Sequence, residues 1–302
     1  MTFEQDQTDG MILVRKPTGL SSNKVVNIVK YIFNAKKAGH TGTLDPFASG
    51  LLPVCLNKAT RLARYLLGKD KEYIGVIKLG EKTDTLDLTG KIIKKSPVPS
   101  LSDEEINKAS LFFTGKLKQS PPAYSAVKHK GVPLYKHARK GNIIIKEPRE
   151  IEVFAFEILD INLPFITIRV RCSAGTYIRS LASDFSEKLG TTGTLQSLER
   201  TKCGDFLLED ALSTESLKGM DEKENRIISL NKIIEFMPEI KVSDSIEYEL
   251  KNGRKILSEN INGTSSLEIN KPFRLVSTKN ELIAVVRKEE DSIFLKYDAV
   301  FN

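Results

Sequence analysis

Residues 38–53, AGHTGTLDPFASGLLP, exclude a regular helix over sixteen positions near the start of the chain. Glycines at 39, 42 and 50 and prolines at 46 and 53 interrupt any continuous hydrogen-bonded run. A globular chain can carry such a stretch only as a turn whose ends are held by neighbouring elements. It holds one acid, Asp45, which the following Pro46 biases towards extended backbone. Two readings of that acid follow from the residues. The glycines admit backbone conformations closed to other residues, so the stretch can be a rigid turn presenting one carboxylate. Alternatively, Asp45 makes an Asx-turn with its own backbone and does nothing else.

The flanks supply the elements that would hold such a turn. MILVRKP (11–17) reads as a strand, and SSNKVVNIVKYIF (21–33) as a helix capped by serine, with Val25, Ile28, Val29 and Ile32 at helical spacing. ATRLARYLLG (59–68) reads as a second helix closed by Gly68, and KEYIGVIKLG (71–80) as a strand. Ser102 and Glu105 form a capping box that opens a helix over 102–115. IEVFAFEILD (151–160) and FITIRVRC (165–172) alternate as a hairpin. The 176–190 helix places Ile178, Leu181, Ala182, Phe185 and Leu189 on one face. A charge-rich segment over 215–238 reads as a linker or terminal helix, after which short strands resume in KPFRLVS, ELIAVVR and IFLKYDAVF. The pattern is α+β, with domains expected at 11–238 and 239–302.

Charge is unevenly distributed. Residues 11–80 hold twelve Lys/Arg against Asp45, Asp70 and Glu72, and residues 115–150 hold nine against Glu147 and Glu150, although the whole chain nets only +7. Segregation of this kind gives a positive face for a polyanion, or else merely solvates helices. The 121–149 stretch is basic, punctuated by Gly and Pro and dotted with aromatics, and is expected to protrude and contact RNA. Cys55, Cys172 and Cys203 form no CxxC pair and have only His40, His129 and His137 as possible co-ligands, which argues against a structural zinc or a disulfide framework. The opening MTFEQDQTDG lacks the apolar core of a signal peptide, and no window reaches about 18 apolar residues. A cytoplasmic protein without membrane association is expected.

GHTGTLDPFASGLLP, with KPTGLSS before it, KEYIGVIKLGEKTDTLD after it and CSAGTYIRSLASDF farther on, resembles the TruB family of tRNA pseudouridine synthases. The likeness runs over about residues 11–210 in the family's order and spacing, and the last sixty or so residues resemble its small RNA-binding PUA module. The resemblance implies a pseudouridine synthase fold: a central mixed, mainly antiparallel sheet flanked by helices, with a β-rich PUA-like domain behind it. It also implies isomerisation of uridine-55 in the T-loop of tRNA by base flipping, with no cofactor, no metal and no obligate protein partner, in a monomer. Asp45 is then the catalytic residue, acting at C1′ as a nucleophile or on the 2′ proton. Arg179 is its partner, expected to lower its pKa and to grip both oxygens with a bidentate fork. Tyr73 stacks on the flipped base, His40 contacts nucleotide, Tyr177 and Leu198 wall the pocket, and Lys16 with Pro17 braces the loop. Many members carry lysine where this chain has Ala174, so a contact by that side chain is not expected here. A guide-RNA-dependent, dyskerin-like enzyme and a catalytically idle tRNA chaperone are the alternatives.

Overall fold

The computed structural model describes residues 8–301. Residues 1–7 of the opening MTFEQDQTDG, where no signal peptide is expected, lie outside the described residues, as does Asn302.

The apolar run at the start of the chain forms the Gly10–Lys16 strand, buried on both faces. Ile12 and Val14 pack on the Ser22–Ile32 helix, while Met11 and Leu13 face a second core. That burial explains why the run does not alternate. The Ser21 hydroxyl caps the helix by accepting the Lys24 N–H at 3.3 Å, and Val25, Val26 and Val29 form its inner face.

Seven strands make the main path of one sheet, in the order Gly10–Lys16, Ser49–Leu56, Gly193–Cys203, Lys71–Leu79, Phe165–Cys172, Arg149–Asn162, Gly115–Gln119. Every neighbouring pair on that path is antiparallel except Ser49–Leu56 with Gly193–Cys203, whose parallel register joins Ser49 to Glu199 and Gly50 to Arg200. The expected hairpin is the Arg149–Asn162 and Phe165–Cys172 pair. On one face lies the Ile178–Lys188 helix, with Ile178, Leu181, Ala182 and Phe185 buried among Ile77, Ile166 and Val170. Phe113, Phe156 and Phe185 form an aromatic cluster with centroids 5.1 to 5.7 Å apart.

Three expectations change in detail. The helix over 59–68 is a 3₁₀ turn, Asn57–Arg61, followed by a short α-helix, Ala63–Leu67. Asn57 starts it with φ +48°, its side-chain oxygen accepting the Lys36 and Lys37 amides. The basic 121–149 stretch holds a miniature hairpin, Lys128–His129 with Val132–Pro133, and the Leu134–Ala138 helix. Its first residues do not protrude, because the Tyr124 carbonyl is bonded to Arg179.

The charge-rich segment before 239 is a seam rather than a free linker. Ile233, Ile234 and Met237 share one core with Met11, Leu13 and Leu62 on one side and Leu282, Val285 and Phe301 on the other. Beyond it, Glu239–Lys241, Pro272–Val276, Leu282–Arg287 and Lys296–Val300 form a separate four-stranded sheet with its own core. Buried Arg274 donates to backbone carbonyls of Asn231, Glu235 and Met237 and pairs with Glu239 at 3.1 Å.

Candidate active site

The 38–53 stretch leaves the sheet and returns to it. Ala38–His40 pairs with residues 54–56, and Ser49–Leu56 carries the chain back. Of its three glycines only Gly50 is needed for both conformation and space: its φ is +103°, and a Cβ there would meet the Arg200 carbonyl oxygen at 2.4 Å. Gly42, at φ +157°, would make only ordinary contacts, and Gly39 faces open space.

Rigidity comes mainly from side chains outside the loop. The Lys16 ammonium is fully buried and donates to the carbonyls of Pro17, Leu20 and Pro46, at 2.9, 2.6 and 3.3 Å. The Ser22 hydroxyl donates to Leu44 O and accepts Leu44 N–H, at 2.9 and 2.8 Å. Leu44, Phe47 and Ala48 anchor the loop in the core on either side of Asp45.

Arg179 reaches Asp45 through Nε alone, 2.9 Å from Oδ2. The expected bidentate grip is absent: Nη1 donates to Thr85 O at 2.7 Å and Nη2 to Tyr124 O at 2.9 Å, and those bonds orient the fork so that Nε faces the carboxylate. Asp87 stands 3.6 Å from Nη1 and accepts from the Thr85 hydroxyl and the Thr89 amide. The arginine is thereby locked with a side-chain exposure of 4 %, while Asp45 keeps 36 %. Burial pushes the Asp45 carboxyl above its ordinary range, with the Arg179 charge opposing and the Asp87 charge adding to the rise. The expected lowering by Arg179 is therefore outweighed by desolvation.

Tyr73 is half-buried beside this core on the Lys71–Leu79 strand, and burial pushes its phenol up to about 12. It is a protonated group at neutral pH. His40 has its pKa lowered by burial and the Arg200 charge, and its Nδ1 accepts the Gly42 N–H at 3.3 Å, so Nε2 carries the hydrogen. Lys16 is lowered to about 8, chiefly by burial. Tyr177 precedes the Ile178–Lys188 helix, its backbone bonded on both sides by the Gln119 side chain and its ring 5.5 Å from the Arg149 guanidinium. Leu198 is buried in the main core opposite Gly75.

Asp45 and Arg179 are thus in contact, with Lys16 close enough to affect the carboxylate. Sequence reasoning missed Asp87, Arg200 and Gln119. Arg200 is 1 % exposed and donates to Leu51 O at 2.7 Å and Gly42 O at 3.1 Å. For Arg200 the one available signal was a charged residue within an otherwise strand-like stretch, LQSLERTKC. Among the described residues no three His, Cys, Asp or Glu side chains gather closely enough to hold a metal ion.

Comparison with known proteins identifies the family. Residues 30–178 match the family described as TruB family pseudouridylate synthase, N-terminal domain. The chain is 50 % identical over 213 residues to tRNA pseudouridine synthase B of Francisella philomiragia, covering 70 % of each. It is 47 % identical over 226 residues to the protein of the same name from Francisella tularensis subsp. novicida, covering 74 % of each. A chain in the crystal structure of a Cbf5–Nop10–Gar1 complex superposes with a TM-score of 0.77 at 28 % identity, over 100 % of this chain and 88 % of that one. The chain belongs to the TruB family of pseudouridine synthases.

Proposed function

We propose that this protein isomerises uridine to pseudouridine at position 55 in the T-loop of tRNA, with Asp45 as its essential group. The observation that carries the reading is Asp45 itself: one oxygen is held by a locked arginine, and about a third of the side chain remains open. The reaction breaks the N1–C1′ bond and forms C5–C1′, with C5 losing a proton and N1 gaining one. One carboxylate acting at the ribose suffices, by attack on C1′ or removal of the 2′ proton, and the ionised form serves either route. The target lies inside a folded loop, so the nucleotide is extruded, and half-buried Tyr73 offers it a stacking face and a neutral hydroxyl donor. His40 supports the entering nucleotide, Tyr177 and Leu198 shape the pocket wall, and Lys16 keeps the loop in place.

We assign residues 11–238 to catalysis and 239–302 to a PUA-like RNA contact, with the basic 121–149 stretch on the tRNA. The identities to two proteins named for tRNA support that substrate over a guide-RNA-dependent one. No described helix is long and apolar enough to cross a membrane. We place the protein in the cytoplasm as a monomer, acting without a protein partner.

The test is tritium release from C5-labelled uridine in unmodified tRNA, using purified protein alone. Release by the native chain and none by Asp45→Asn, with RNA binding retained, is expected. Equal release from both would remove Asp45 from its role, and release from neither would leave the chaperone reading.

A further inference from the structure

Arg200 heads the largest side chains with under 2 % exposure, and no step of the isomerisation described above uses it. We infer that Arg200 is a positioning residue: its guanidinium joins both ends of the Asp45 loop to Tyr73, fixing the separation of carboxylate and phenol. The inference rests on the function proposed above.

The loop is held by this one residue twice. The Arg200 backbone lies in parallel register with Gly50, close enough to forbid a Cβ there. Its side chain then bonds Gly42 O where the loop departs and Leu51 O where it returns. Tyr73 is its cross-strand partner, and the guanidinium charge opposes the burial that raises the phenol. A guanidinium is a rigid fork of donors with no acceptor, so it can serve carbonyls in several fixed directions.

The energetics point the same way. Among the described residues no carboxylate lies within ion-pair distance of Arg200, so a buried cation is held by backbone carbonyls. Reacting groups displaced by about 1 Å lose about a hundredfold in rate, which gives such a brace a kinetic role.

The test combines single-turnover tritium release with tRNA affinity for the native chain, Arg200→Lys, Tyr73→Phe and the double variant. Lysine keeps the charge but cannot span both carbonyls. Arg200→Lys is expected to slow release by about tenfold to a hundredfold with the Kd for tRNA within about twofold. In the Tyr73→Phe background the same change should lose less than half of that factor on a logarithmic scale. A native rate in folded Arg200→Lys, or the same factor lost in both backgrounds, overturns the inference. If Arg200→Lys does not fold, NMR of the native protein decides. An Arg200 Nε–H protected like core-strand amides supports the brace, and one exchanging freely with water refutes it. Absence of release by the native chain would defeat the function instead, and the NMR result would still stand.

Discussion

Asp45 is placed where its charge is unfavourable to the fold and, under the proposed function, useful to the reaction. A carboxyl with its folded pKa raised above the unfolded value contributes most below the unfolded pKa, and that contribution is lost as pH rises through the folded value. Asp45→Asn should therefore melt at a higher temperature than the native chain at pH 7, with the gap closing towards about pH 4. A lower melting temperature for the variant at pH 7 would contradict this. The same variant should lose roughly 10³-fold or more in turnover. The acid limb of kcat/KM should lie above the ordinary carboxylate range, since the free enzyme needs Asp45 ionised. On the alkaline side, neutralisation of Lys16 near its value of about 8 weakens its hold on the Pro46 carbonyl, so activity should fall there. A profile flat well beyond that pH would show that the brace does not need its charge. At this scale the motif residues were legible because each carries a distinctive side chain at a distinctive spacing. The direction of the Asp45 shift was not, because it depends on how much water the fold removes.

The Asp45 loop and the basic stretch behave differently as elements. Gly50→Ala forces a left-handed backbone on a β-carbon and drives it into Arg200, so it should cost about 2 kcal/mol or more in urea unfolding. Gly39→Ala meets open space and should change stability by less than about 1 kcal/mol. Similar losses from both would refute the loop geometry. The basic stretch can be cut only beyond Tyr124, whose carbonyl holds Arg179. Removing residues 125–147 should weaken tRNA binding and lower the log–log salt slope by about 0.7–0.9 for each phosphate the protein no longer neutralises. An unchanged slope would move the RNA surface elsewhere. Helix starts at Ser21 and Ser102 were readable from local capping, which the structure contains. The break of the 59–68 helix was not, because Ala59, Leu62 and Leu66 are drawn into a core built partly from the far end of the chain.

At the scale of the whole molecule, the seam makes the C-terminal sheet part of the catalytic body. Arg61 and Arg64 donate to the carbonyls of Val300 and Asp298, and Met237 lies in a core shared with Leu62 and Val285. A chain ending at Pro238 should therefore melt well below the full protein and expose apolar surface, and the full protein should unfold in one transition. Two separated transitions by calorimetry would show the halves to be independent. The segment before 239 reads as a linker from its charge, yet Ile233, Ile234 and Met237 are buried because the second sheet covers them.

The amino-acid sequence alone determined the first strand and helix, the 151–172 hairpin, the caps at Ser21 and Ser102, the turn around Asp45 and the identity of the residues that resemble a known catalytic set. These are local properties, written in periodicity, backbone constraint and side-chain type. Tertiary structure decided which arginine nitrogen meets Asp45, that desolvation outweighs that contact, and that Arg200 bonds both ends of the loop. Each of these depends on residues more than a hundred positions apart meeting in a dry interior, where competition among donors and loss of water set the outcome.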